Sequence, residues 1–234
     1  MAALHFFRYP PVLALSLGFF HNPPLVKGGE GGFEIAMETH RDYTSSKIGM
    51  WLFLLSEILL FGGLFILYST YRYKNPVDFH HAAAELNRIL GTVNTLILIT
   101  SSLAMALSIS SIQKGNRRLS TVLLMSTIFL GALFLGIKSF EWTAKIHHGL
   151  YPNSPRLLGR YSGEVLFYGL YYAMTGLHGL HVLVGVFVLC VMLVFMMKGK
   201  INKDCFVPLE NSGLYWHLVD MIWIFLFPLF YLIT

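Results

Sequence analysis

The sequence predicts an all-α integral membrane protein, a bundle of five transmembrane helices, and three observations carry that prediction. Of its 234 residues 55% are hydrophobic and only 12% charged, against about 25% charged in a soluble domain, and the mean hydropathy is +0.61. Five apolar runs reach the length of about 20 residues that a helix needs to cross a hydrocarbon core about 30 Å thick. Lys and Arg gather in the connections between those runs. The formal charge of +5 therefore reads as a topology signal and a contact to anionic head groups, not as a nucleic-acid surface.

Taken in order, the expected spans cover residues 48–71, 89–112, 119–140, 165–197 and 214–233. Tyr73-Lys74-Asn75-Pro76 and Gln113-Lys114-Gly115-Asn116-Arg117-Arg118 close the first two. Tyr151-Pro152-Asn153-Ser154-Pro155 and Lys198-Gly199-Lys200 mark the later turns. The fourth run exceeds the bilayer, so it must tilt or project beyond it. Residues 41–234 form the transmembrane domain. Residues 1–40 are expected to be a disordered or non-native extension, with Met37 a candidate natural start. Pro10-Pro11, Pro23-Pro24 and the low-complexity Lys27-Gly28-Gly29-Glu30-Gly31-Gly32 punctuate this stretch. Its apolar run Val12 to Phe20 is too short to span and lacks a small-residue cleavage pattern.

Orientation follows from the basic residues on each side. One side carries Arg41, Lys47, Lys114, Arg117, Arg118, Lys198, Lys200 and Lys203, and the other Arg72, Lys74, Arg88, Lys145, Arg156 and Arg160. The richer side is expected to face the cytoplasm, with the N-terminus there and the C-terminus outside.

Several chemistries have no sequence support. Cys190 and Cys205 show no CxxC or CxxxC spacing, so neither a zinc site nor a dinuclear copper centre is expected. There is no P-loop, dinucleotide fingerprint, HExxH or nucleophile–base order.

The informative residues are the polar ones inside the apolar runs, because each is costly in lipid. Glu57 stands in the first span with Phe53, Leu54, Leu60 and Phe61 as its helix neighbours. It reads either as a carboxyl hydrogen-bonded to an adjacent helix or as a group that handles protons or orders a bound lipid. His178 and His181 share one face of the fourth span, and His217 and Asp220 repeat that spacing in the fifth. Hydrogen bonding across helices explains them better than a metal site, which needs more ligands and a supporting shell. Asn94, Thr95, Ser101 and Ser102 in the second span, Gly62 and Gly63 in the first, and Gly176, Gly179 and Gly185 in the fourth read as close-packing positions. The Trp and Tyr residues read as an interfacial belt.

Together these residues resemble the third subunit of cytochrome c oxidase, in order and spacing, across nearly the whole chain after Lys47. The matching motifs are Ser56-Glu57, Asn94-Thr95 with Ser101-Ser102, Phe140-Glu141-Trp142, Thr175-Gly176-Leu177-His178-Gly179-Leu180-His181-Val182, and Tyr215-Trp216-His217-Leu218-Val219-Asp220-Met221-Ile222-Trp223. The chain looks like the five-helix bacterial form that lacks the first two spans of longer members.

The resemblance implies a non-redox subunit of an oxygen-reducing, proton-pumping complex in the bacterial inner membrane. It would have no active site, haem, copper or other metal of its own, with haem and copper in partner subunits. The implied partners are oxidase subunits I and II and bound phospholipid. Glu57 would be the buried proton-handling or lipid-ordering carboxylate, and Asn94, Ser101, Glu141, His178, His181, His217 and Asp220 the intramembrane polar network. The nearest rivals are accessory proteins of nitric-oxide reductases, which share a pattern like Leu86-Asn87-Arg88-Ile89-Leu90-Gly91, and quinol oxidases. A stand-alone proton or ion transporter is the distant one, and no paired half-structures support it.

Overall fold

The computed structural model describes residues 30–152, 154–203 and 205–232, with side chains described from Ser45 on. The order is α1 (Glu30–Lys74), α2 (Pro76–Ala84), α3 (Arg88–Gln113), α4 (Arg117–His147), α5 (Pro155–Leu158), α6 (Ser162–Met197), α7 (Val207–Phe227) and a π-helical turn (Pro228–Leu232). No strand occurs among the described residues. Residues from Ser46 on form one compact unit, distinct from Met1–Ser45. Residues 1–29, most of the expected extension, lie outside the described residues. The backbone of residues 30–40 already belongs to α1.

Five helices are long and apolar enough to cross a membrane: Ser45–Lys74, Arg88–Gln113, Arg117–His147, Ser162–Met197 and Val207–Leu232. Each expected run lies within or almost within one of them, and the helices run further at most ends. The third continues to His147 because its charges are paired inside the bundle and do not terminate it. The fifth begins at Val207, where Pro208 suits the first turn and Glu210 sits at the positive end of the helix dipole. At 36 residues, α6 is about 54 Å long, well beyond a hydrocarbon core.

Short polar caps set the boundaries. The Asn87 side chain accepts from the amides of Ile89 and Leu90, and Asn116 accepts from Leu119. Gly115 and Gly199 adopt φ of 79° and 78°, the left-handed turn that lets the amides of Asn116 and Lys200 reach back to Ser111 and Phe195. Arg117 then donates to the carbonyls of Met196 and Met197, tying the start of α4 to the end of α6.

Helix α3 packs along α4 and α7, and α6 packs on α4 and α7. Ser108 and Ser120, 3.1 Å apart, join α3 to α4. Close approach occurs at glycines that face the Trp216 ring: a Cβ on Gly131 would come within 2.5 Å of it, and one on Gly185 within 2.9 Å. Two sequence expectations are corrected here. Gly62, Gly63 and Gly179 have no neighbour within 4 Å of a Cβ position and so are not packing contacts within this chain. Trp216, Trp223, Tyr68, Tyr168 and Tyr171 are not a belt but fully buried in the bundle, because each polar tip finds a partner inside it.

At the end where α1 leaves its span, a polar rim joins three helices. Glu85, just after α2, accepts from Arg160 (2.8 Å) and from the Tyr168 hydroxyl (2.6 Å). Arg160 also bonds Glu164 (2.9 Å), and Lys145 reaches the Glu85 carbonyl (3.3 Å). Burial pushes the Glu85 carboxyl up, but the Tyr168 hydroxyl and the Arg160 guanidinium outweigh it and hold the group below its usual range.

Two outcomes are expected. Gly131→Ala should lower thermal stability in detergent by about 1–3 kcal/mol through overpacking against Trp216, while Gly179→Ala should leave it unchanged. Because the folded state holds the Glu85 carboxyl below its unfolded value, its contribution is complete above that value, about 4.3, and is lost as pH falls through the lower folded one. An acid titration of stability should therefore flatten in Glu85→Gln, and identical profiles would contradict the rim's role.

Candidate functional site

The first pair of interest is made between two spans. Helix α1 presents Glu57 and α6 presents His181, whose Nε2 lies 2.9 Å from Glu57 Oε2. His181 Nδ1 lies 2.7 Å from the Leu177 carbonyl. A carbonyl only accepts, so Nδ1 carries a hydrogen. Nε2 then either accepts from a carboxylic acid or, as part of an imidazolium, donates to a carboxylate. Both descriptions place one hydrogen between the two atoms and carry the same total charge. Phe61 packs edge-on against the His181 ring (5.3 Å), and the Tyr215 hydroxyl donates to the His181 carbonyl (3.1 Å). Both side chains keep a partial exposure, 15% for Glu57 and 14% for His181.

A second set runs along the seam between α3 and α7. Trp216 Nε1 donates to Ser101 Oγ (3.1 Å), Ser102 Oγ meets His217 Nδ1 (2.7 Å), and Trp223 Nε1 donates to Thr95 Oγ1 (3.0 Å). The residues are spaced by helical turns on both helices, so the bonds form a ladder. Trp216 is fully buried, and its indole N–H would be orphaned without Ser101.

Three residues of the expected network behave differently. Asn94, His178 and Asp220 are buried, yet their polar side-chain atoms find no hydrogen-bond partner among the described residues. His178 instead lies against the Trp223 ring (centroids 5.2 Å apart) and meets Phe134 edge-on (5.6 Å). His178 and His181 share a helix face but not a function: one is enclosed by aromatic rings and the other is paired with a carboxylate. No group of three or more His, Cys, Asp or Glu that could hold a metal ion occurs among the described residues.

The third set was only half legible. Glu141 was expected in the network, but its partners were not. Lys138, one turn earlier on α4 and 3% exposed, donates to Glu141 Oε2 (3.1 Å), to the Tyr171 hydroxyl on α6 (2.9 Å) and to the Tyr231 hydroxyl in the π-helical turn (2.6 Å). Tyr171 and Tyr231 donate in turn to Glu141 Oε1, at 3.0 and 2.7 Å. The signal was a Lys and a Glu three residues apart in an apolar run. Lys138 falls inside the expected run of residues 119–140 but was not singled out with the other polar residues of the spans.

Comparison with known proteins bears on what these polar sets serve. A family model described as Cytochrome c oxidase subunit III matches residues 36–234. The chain is 33% identical over 205 residues to the cytochrome c oxidase subunit 3 of Thermostichus vulcanus, covering 87% of this chain and 95% of that one. It is 29% identical to a probable quinol oxidase subunit 3 of Staphylococcus saprophyticus, covering 80% and 89%. It is also 30% identical over 205 residues to the heme-copper oxidase subunit I+III of Aeropyrum pernix, where the match covers 83% of this chain and 24% of the longer protein. With five apolar spans and a match over most of its length, the chain is a membrane protein that belongs to the cytochrome c oxidase subunit III family.

Proposed function

We propose that this chain is the non-redox third subunit of a bacterial cytochrome c oxidase, which stabilises the catalytic subunit, holds phospholipid and supports proton uptake from the cytoplasmic side. The observation that carries the reading is the match to a cytochrome c oxidase subunit 3 along 95% of that protein's length. The polar residues support it. They spend their bonds joining α1 to α6, α3 to α7, and α4 to α6 and the π-helical turn, which is what a bracing subunit needs. Haem and copper belong to partner subunits I and II in this reading.

The Glu57–His181 pair is the group suited to proton support. A proton can pass between its two partners without changing their total charge, and its partial exposure leaves it within reach of groups outside the chain. A shallow apolar groove on α1, lined by Phe65, Ile66, Ser69, Thr70 and Tyr73, offers surface to an acyl chain. The reading places the bundle in the bacterial inner membrane with the N-terminus cytoplasmic and the C-terminus external, as the basic residues indicate. Relatives named as quinol oxidase subunits at 29% and 26% identity favour one second reading, in which the complex oxidises quinol.

Affinity purification from gently solubilised membranes should recover a haem- and copper-containing partner, and repeated recovery without any haem protein would end the assignment. Copper-binding cysteines in the co-purified second subunit indicate cytochrome c as donor, and their absence indicates quinol. Glu57→Gln should leave assembly intact, because an amide still bonds His181, while activity declines over successive turnovers. Unchanged activity across a pH series would remove the proton-support role.

A further inference from the structure

The proposal concerns the last described turn of the chain and the buried charges of α4. Helix α7 ends at Phe227, and Pro228, which has no N–H to give to the preceding turn, opens a stretch of wider π winding. Three successive residues of that stretch are gripped from different helices. The Leu229 carbonyl accepts from the Tyr68 hydroxyl of α1 at 2.6 Å. Phe230 is fully buried between Tyr68, Phe167 and Tyr171, with centroids 4.9, 5.6 and 5.5 Å away. Tyr231, also fully buried, places its hydroxyl against both members of the Lys138–Glu141 pair.

The hydrogens in this site can be counted. An ammonium has three donors, and Lys138 uses them on Glu141, Tyr171 and Tyr231. Each tyrosine hydroxyl has one hydrogen. Having accepted from Lys138, Tyr171 and Tyr231 each give theirs to the Glu141 carboxylate. The four residues thus close on themselves with every donor placed. Take Tyr231 away and Lys138 loses an acceptor while Glu141 loses a donor, and both are buried at 3% exposure. An ion pair left incompletely bonded in an apolar interior is strongly unfavourable.

From this geometry we propose that the π-helical turn Pro228–Leu232 is a latch: docking of Tyr231 completes the Lys138–Glu141 site and locks α4 and α6 to the end of α7. The ion pair, in turn, makes the packing of α4 and α6 conditional on that docking. Tyr231 follows Lys138 and Glu141 by about ninety residues in the chain, so during synthesis the charges are in place before the group that satisfies them. Packing alone would let α4 and α6 settle without the turn. The buried pair prevents this, so a bundle with an undocked turn is held short of its final state.

The test is a double-mutant cycle on the full chain, read by unfolding in mixed micelles. Tyr231→Phe keeps the ring and its packing but removes the hydroxyl. In the native background it should raise the unfolding constant by about tenfold or more, the loss expected when a hydrogen bond to buried charges goes. In a chain carrying Lys138→Met and Glu141→Leu, the same change should have little effect, since there is no pair left to satisfy. If Tyr231→Phe alone does not accumulate, the proposal requires the Lys138→Met, Glu141→Leu background to restore it. Equal losses in both backgrounds, no loss in either, or failure of that background to restore accumulation would overturn the latch.

Discussion

A bilayer supplies no water to a buried polar group, and that constraint governs how this bundle is built. Every hydroxyl, indole, imidazole or carboxyl turned inward must meet a partner on another helix or be enclosed at a cost. The small residues at the helix contacts follow from the same demand. Gly131 and Gly185 bring α4 and α6 close enough for the Trp216 ring to lie between them, and only in that position does its N–H reach Ser101. Aromatic bulk, glycine and hydroxyl are three parts of one contact.

The constraint also separates two kinds of buried charge. Lys138 and Glu141 are sealed, with all their bonds made inside the chain, and nothing about them invites exchange with a neighbour. Glu57 and His181 are joined by a single contact and remain partly open. A sealed pair fixes geometry, whereas an open pair that can place its proton on either partner is able to respond to what lies next to it. On the proposed reading the first suits a brace and the second suits communication with a neighbouring subunit.

The five spans were legible because apolar length is a property of the chain itself and needs no knowledge of tertiary structure. So were Glu57, His181, Ser101 and His217, since a polar residue in a long apolar run stands out wherever it points. What could not be read was partnership. Lys138 lies inside the expected third run, but nothing in the sequence says that its charge meets Glu141 one turn away and the hydroxyls of Tyr171 and Tyr231 far along the chain. The tryptophans and tyrosines were misplaced for a related reason: the same ring suits an interface or a core, and only the position of Ser101, Thr95 or Glu141 decides which. Asn94, His178 and Asp220 were expected to bond across helices, and the sequence held no sign that aromatic enclosure, as at His178 between Trp223 and Phe134, would take the place of bonding.

Among the described residues, helix α1 has no broad backbone contact with another helix. Its described contacts are made by the ends of long side chains, among them Lys47 with Glu210, Phe53 with Tyr215, Phe65 with Phe225 and Tyr68 with Phe79. Such an attachment yields sideways, and a detergent that competes for aromatic surface would displace this helix while the other four kept their mutual packing. The His181 ring would then face solvent without its carboxyl. A preparation in that condition would keep its helical content, yet it would have lost the one acid that the first span contributes.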